Sequence, residues 1–205
     1  MRHEYGAEEI RRFLQAIDRN LARRVRVEII GGAAATLAYG VQSTTEDIDT
    51  YNGAHGADPA ETVEAARRDD AGVELQEAVS RAVRDTGLEI PMQHATVADV
   101  PYNYQDRLHR QLPELENLEV WILEKHDLAL SKAVRCNEGD LQQILEMHEA
   151  VRLDFDTLVD RFNNEMKQTN GDPTRIRNNF LDMIDYLFGE MKRIAAEASV
   201  PLWTW

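Results

Sequence analysis

Two aspartates separated by a single residue carry the clearest chemical signal in the chain. Asp47 and Asp49 flank Ile48, and on a strand residues i and i+2 point to the same face. The two carboxylates are therefore expected side by side, where they repel each other unless a cation lies between them. A hard divalent ion, Mg²⁺ or Mn²⁺, held by one or two carboxylates and substrate phosphates, is the usual partner of such a pair. The spacing predicts a metal site at Asp47 and Asp49.

A glycine pair precedes these aspartates. Gly31 and Gly32 follow an alternating apolar pattern typical of a half-buried strand, and an Ala-rich helix is predicted from Ala33 to Tyr39. Glycine lets the backbone approach a ligand closely, and a helix N-terminus presents free N–H groups to an anion. The unit is interpreted as a phosphate cradle beside a metal-binding carboxylate pair. The simpler interpretation of either half alone is a tight turn or an acidic strand edge.

The composition of the chain limits its possible domain number, partners and cellular compartment. The 205 residues suit one large domain or two small ones, with a net charge of −14 and a single cysteine, Cys136. The acidic balance argues against a strong non-specific grip on nucleic acid. One cysteine allows no internal disulfide and fits a reducing compartment. With no apolar run of membrane-spanning length and no apolar signal core at the start, a cytoplasmic protein without membrane contact is expected.

A second group of charged residues follows much later in the chain. Asp127 is predicted to cap a helix on which Lys132 and Arg135 share one face. A break after that helix precedes Asp140, predicted to cap the next helix. By themselves these residues are typical of helix capping and surface cations.

The order strand, Gly-Gly, helix and Asp-x-Asp resembles the nucleotidyltransferase superfamily. The later stretch, with Asp127 before Lys132-x-x-Arg135 and then Asp140, resembles bacterial AbiEii-like nucleotidyltransferases. The resemblance implies that Gly31, Gly32, Lys132 and Arg135 bind the nucleotide, and that Asp47, Asp49, Lys132 and Asp140 are catalytic.

This chain departs from the AbiEii-like pattern at two positions and lacks a third obvious carboxylate. Gly139 stands where a basic residue often precedes the aspartate, and Gln143 stands where a second aspartate often follows it. Glu89 and Asp99 are weak candidates for the third carboxylate, and substitution by Asp140 is the alternative.

The predicted fold class is α/β (α+β). A small mixed sheet flanked by helices is expected over residues 1–122, followed by a helical region over 123–205 that completes the active site. Strands are predicted over Leu88–Met92 and Leu118–Ile122, and a short helix over Tyr102–Leu112. A methionine and aromatic stripe from Ile176 to Ile194 is expected to lie in the core.

The function expected from the resemblance is metal-dependent transfer of a nucleoside monophosphate from an NTP to an RNA acceptor, such as tRNA, or to a protein. It implies a toxin role in a toxin–antitoxin or phage-defence pair, with a cognate antitoxin or regulator as a further partner. The alternative is a catalytically degenerate fold that serves as a nucleotide-binding or protein-interaction module. Metal-NTP binding with transfer, or without it, discriminates the two.

Overall fold

The computed structural model of the 205-residue chain describes residues 3–51, 70–95 and 99–201. They divide into two compact units. Unit 1 comprises residues 3–33, 44–51, 70–95 and 109–122, and unit 2 comprises residues 34–43, 99–108 and 123–201. The division into an α/β domain over 1–122 and a helical region over 123–205 stays a prediction.

Unit 1 contains a five-stranded mixed sheet with the strand order β3-β2-β1-β5-β4. Strand β1 pairs antiparallel with β2 and parallel with β5, while β3 runs parallel to β2 and β4 antiparallel to β5. The strands are β1 Val25–Ile30, β2 Ile48–Thr50, β3 Met92–His94, β4 His109–Gln111 and β5 Leu118–Ile122.

The register gives this sheet one apolar and one polar face. Val27 is the partner of Val120, and Ile29 of Ile122. These side chains are fully buried or nearly so. The intervening residues form the opposite face, where Glu28 is the partner of Trp121 and Arg26 lies over the Trp121 ring at 4.6 Å. The alternation found in the sequence therefore separates core from polar face.

Two helices of unit 1, α1 (Ala7–Asn20) and α3 (Asp70–Thr86), pack against each other. The apolar side of α1 is completely buried. Asp18, near the end of α1, accepts hydrogen bonds from the backbone N–H groups of Asn117 and Leu118, both at 2.7 Å. This carboxylate fixes the start of β5 against α1.

Unit 2 is helical. After α2 (Gly31–Ala38), which begins in unit 1, its helices are α4 Lys125–Arg135, α5 Glu138–Val151, α6 Phe155–Glu165, α7 Pro173–Phe188 and α8 Glu190–Ser199. Leu130, Ile144, Phe162 and Phe180 lie in one apolar cluster, with the Phe162 and Phe180 rings stacked at 4.0 Å. Asp172 caps α7 and Pro173 occupies its first turn, as expected for a proline after a capping residue.

The α/β class is confirmed: the described residues contain a five-stranded mixed sheet and eight α-helices. Several predicted boundaries are wrong. The strand predicted over Leu88–Met92 is instead Met92–His94, beyond Pro91, and the helix predicted over Tyr102–Leu112 is a 3₁₀ turn, Tyr104–Arg107, followed by β4.

The long stripe from Ile176 is interrupted at Gly189, whose φ of +84° ends α7. The next helix turns two of the predicted core residues outward, since Met191 is 78% exposed and Ile194 is 53% exposed. Within the described ranges, no helix has the length and apolar character needed to cross a membrane.

Replacing Asp18 should destabilise unit 1 through the start of β5. Asp18→Ala leaves two backbone N–H groups without their acceptor, at an expected cost of about 2–4 kcal/mol in the free energy of unfolding. Asp18→Asn retains an acceptor oxygen and should cost less than half as much. Urea denaturation measures both, with Asp160→Ala on α6 as the control. Equal stability of Asp18→Ala and the control contradicts this role.

Candidate active site

The two aspartates lie together on the polar face of the sheet. Asp49 is the register partner of Ile30 on one side and of Gln93 on the other. The Gln93 side chain donates a hydrogen bond from Nε2 to Oδ2 of Asp47 at 3.3 Å. Because Gln93 is beside Asp49 and contacts Asp47, both carboxylates belong to the same face, while Ile48 between them is completely buried.

The glycine turn abuts the second carboxylate. Helix α2 starts at Gly31, immediately after β1 and two residues earlier than predicted. Gly31 has φ of +68°, and a Cβ built on it would lie 2.9 Å from Oδ2 of Asp49. Only glycine fits this conformation and this approach without strain. The glycine–carboxylate contact is the geometry that links the predicted cradle with the predicted metal site.

This donor set suits a hard divalent cation that shares its coordination with a substrate. The two carboxylates lie on one face of the sheet, and Oδ2 of Asp49 lies beside Gly31, the first residue of α2. Among the described residues, no three His, Cys, Asp or Glu side chains form a group able to hold a metal ion by themselves. The arrangement therefore fits a metal held by Asp47 and Asp49 together with phosphate oxygens, the usual coordination of Mg²⁺.

A cleft of about 830 Å³ opens beside Asp47. Gln93 contributes to its wall, and Tyr5, itself buried, donates a hydrogen bond to the Glu89 carbonyl oxygen at the same cleft. The cleft provides space for a small-molecule-sized group next to one of the paired carboxylates.

In unit 2, Lys132, Arg135 and Asp140 form a second cluster. Arg135 binds both oxygens of Asp140, with Nε and Nη2 at 2.7 and 2.8 Å. Lys132 is buried, donates to Oε1 of Gln143 at 2.5 Å, and has its Nζ 3.7 Å from Asp140. Gln143, identified from the sequence as a departure, is thus the hydrogen-bond acceptor of the predicted phosphate-binding lysine.

Asp140 also closes the start of α5. The N-cap is Asn137, whose side chain accepts from the Asp140 backbone, while Asp140 accepts from the Asn137 backbone at 3.3 Å. Asp140 therefore caps its helix from the third position, and its prediction as the N-cap itself was wrong. Burial raises the pKa of Asp140, but the hydrogen bonds of Arg135 and the charge of Lys132 outweigh it, so the pKa is lowered. A carboxylate bound in this way is a weak proton acceptor.

The prediction that Asp127 caps α4 was also wrong, because Glu124 is the N-cap and accepts from the His126 backbone. Asp127 is completely buried instead and is bound by Arg107 through both oxygens, at 2.8 and 3.1 Å. Arg161 reaches Asp127 at 2.8 Å. The aspartate is an internal counter-ion that ties residues 107 and 161 to α4.

A comparison with protein-family models identifies one family over residues 8–192, described as "Nucleotidyltransferase of unknown function (DUF6036)". The chain belongs to this family. No curated protein and no solved structure matches the chain. Membership supports the nucleotidyltransferase superfamily inferred from Gly31-Gly32 and Asp47-x-Asp49, and implies a nucleotide substrate.

Sequence reasoning missed several residues that bind Asp47, Asp127, Asp140 or their partners. Asn137 was detectable, because it precedes Asp140 by three residues, the spacing of a capping box. Gln93 had no local signal, since its strand is only three residues long. Arg161 donates to Asp127, 34 positions away, and Glu165 accepts from Arg107, 58 positions away. Pairs this distant leave no periodic pattern in the sequence.

Gly31→Ala should lower the free energy of unfolding by more than the backbone strain at positive φ alone. Gly31→Ala forces an L residue to positive φ, which costs roughly 1–2 kcal/mol, and also presses Cβ against Asp49. Gly87 has φ of +67° with nothing within 4 Å of a built Cβ, so Gly87→Ala is the matched control. We expect Gly31→Ala to be about 1–2 kcal/mol less stable than the control in chemical denaturation. Equal losses contradict the contact.

Glu124 should make the stability of the protein depend on acid pH. Burial raises its pKa, but His126 and Arg161 lower it more strongly, from 4.5 to about 2. A carboxyl whose folded pKa is depressed stabilises the protein above its unfolded pKa, and this contribution is lost as pH falls from about 4.5 to about 2. The contribution is on the order of 3 kcal/mol.

Glu124→Gln should therefore flatten the loss of unfolding free energy between pH 4.5 and 2 in a series of urea titrations. Exposed Glu114→Gln is the matched control. Parallel curves for wild type and Glu124→Gln show that the Glu124 contacts contribute nothing in solution.

Proposed function

We propose that this chain transfers a nucleoside monophosphate from an NTP to a hydroxyl group of an acceptor, in a reaction that depends on Mg²⁺ or Mn²⁺. The observation that carries the proposal is the seating of Asp49 against Gly31, with Asp47 on the same face of the sheet. Family membership supplies the nucleotide substrate.

In this proposal the carboxylate pair and the glycine turn have separate tasks. Asp47 and Asp49 hold the metal, which neutralises phosphate charge and orients the triphosphate when bound. Gly31 and Gly32 leave the start of α2 open, so that its backbone N–H groups face a phosphate without an intervening side chain. Transfer then joins the acceptor oxygen to the α-phosphorus, breaks the bond to the bridging oxygen and releases pyrophosphate, while the acceptor proton passes to water.

For the cluster of unit 2 we propose phosphate binding by Lys132 and Arg135. Asp140 has both oxygens bonded to Arg135 and a lowered pKa. Its contribution to catalysis in this proposal is to orient these two cations, because a carboxylate with this pKa is poorly suited to remove a proton.

The acceptor class in this proposal is RNA, with tRNA as one candidate, or a protein hydroxyl. A toxin role with a cognate antitoxin or regulator extends the AbiEii-like resemblance of Asp127, Lys132, Arg135 and Asp140. Metal-NTP binding without transfer supports the nucleotide-binding module instead.

Asp49→Asn separates the metal role of this carboxylate from a structural one. The change removes a like-charged neighbour of Asp47, so the ligand-free protein should be as stable as wild type or slightly more stable. Mg²⁺-NTP should raise the melting temperature of wild type but not of the variant, because a ligand stabilises only a state that binds it. Transfer should fall ~100-fold or more.

Asp85→Asn, an exposed change of the same charge on α3, is the control for these melts and should respond to Mg²⁺-NTP as wild type does. If wild type ignores Mg²⁺-NTP and Asp49→Asn melts early, Asp49 is a structural residue and the proposed function fails.

A further inference from the structure

We propose that Gln93 is a positioning residue for the carboxylate pair: its amide holds Asp47 in the orientation that lets both aspartates bind one cation. This inference rests on the proposed metal function of Asp47 and Asp49. It adds a residue that neither the glycine turn nor the Asp-x-Asp pattern contains.

The register places Gln93 against both aspartates. It is the central residue of β3 and the partner of Asp49 in the parallel β2–β3 pair, so its side chain leaves the sheet on the same face as that of Asp49. From there Nε2 reaches Oδ2 of Asp47 at 3.3 Å. Gln93 and Asp47 also line the same cleft of about 830 Å³.

The chemistry of an amide suits this position. Its NH₂ end donates to a carboxylate, whereas its oxygen would be repelled, so the amide has one favourable orientation toward Asp47. The hydrogen bond uses one lone-pair direction of the Asp47 carboxylate and leaves the others for a cation. The amide also carries no charge, so three side chains meet at this face with only the two charges of Asp47 and Asp49.

A purely structural role for Gln93 makes a different prediction. The side chain is exposed and its strand lies at the edge of the sheet, so truncating it should alter the free energy of unfolding by no more than about 0.5 kcal/mol. An effect on metal binding larger than tenfold then cannot come from loss of folding. Residues that orient metal ligands without touching the metal typically change metal affinity 10–100-fold.

The chain offers a matched control in Gln111. It is also a glutamine on a three-residue edge strand, β4, at the opposite edge of the same sheet. Its register partner is Val120, which belongs to the buried apolar face rather than to the face of Asp49.

The test measures Mn²⁺ affinity by electron paramagnetic resonance, with Mn²⁺ alone and with Mn²⁺ plus inorganic tripolyphosphate. Gln93→Ala should weaken Mn²⁺ binding at least tenfold. Gln93→Glu places a third carboxylate beside the pair and should strengthen Mn²⁺ binding about tenfold or more, since affinity follows the charge of the ligand set. Gln111→Ala and Gln111→Glu should stay within twofold of wild type.

A double substitution tests whether Gln93 acts through Asp47. In an Asp47→Asn background, adding Gln93→Ala should produce no further loss of Mn²⁺ affinity, because the carboxylate that the amide positions is already gone. Independent, additive losses overturn the positioning role.

The failure modes separate the two proposals. If Asp49→Asn abolishes Mn²⁺ binding but Gln93→Ala and Gln111→Ala both bind Mn²⁺ as wild type does, the carboxylate pair is supported as the metal site. The positioning role of Gln93 is then overturned. If wild type binds no Mn²⁺ under either condition, the metal pair itself is wrong and the role of Gln93 falls with it.

Discussion

The close approach between Gly31 and the Asp49 carboxylate constrains the rest of the candidate site. It requires β1 to end at Ile30, the register partner of Asp49, and α2 to begin on the next residue with positive φ. A β2 strand shifted by one residue would turn Asp49 into the core and Ile48 out of it. The complete burial of Ile48 and the apolar pairing around β1 therefore hold the carboxylates on the polar face.

Charge burial is the corresponding constraint in unit 2. Asp127 and Asp140 are almost completely removed from solvent, and each is bound by arginine through both oxygens. A buried carboxylate without such a partner strongly destabilises a protein. Replacing Arg107 or Arg135 should therefore lower the free energy of unfolding. The same pairing keeps Arg135 and Lys132 in fixed positions around Asp140, as the proposed binding of phosphate by these cations would require.

The features predictable from the sequence were those set by local pattern. Strands β1 and β5 alternate because one face is core and one is polar, and Asp172-Pro173 begins a helix because both residues favour its first turn. Strand β3 was misplaced and β4 was predicted as part of a helix, because each has only three residues, most of them polar, and lies at a sheet edge where the neighbouring strand determines its structure. Asp127 was predicted to be a cap because aspartate is a common capping residue. It is buried instead, and its carboxylate is bound by Arg107 and Arg161, which are distant in the sequence.

For the candidate site, the sequence predicted which residues form the motif but not the contacts that surround them. The Gly-Gly and Asp-x-Asp pattern led to the superfamily that the family match supports. Neither the positive φ of Gly31 nor the contact of Gln93 with Asp47 follows from spacing, because both depend on which strands pair.

The most direct measurement of the central claim compares two labels on the same NTP. Purified protein is incubated with Mg²⁺ and each NTP labelled at either the α- or the γ-phosphate, in the presence of total RNA or of a protein extract. Nucleotidyl transfer predicts that α-label becomes attached to a macromolecule, that γ-label is released in pyrophosphate, and that Asp49→Asn abolishes both. Attachment of γ-label, or equal attachment of α-label by wild type and Asp49→Asn, would contradict the account.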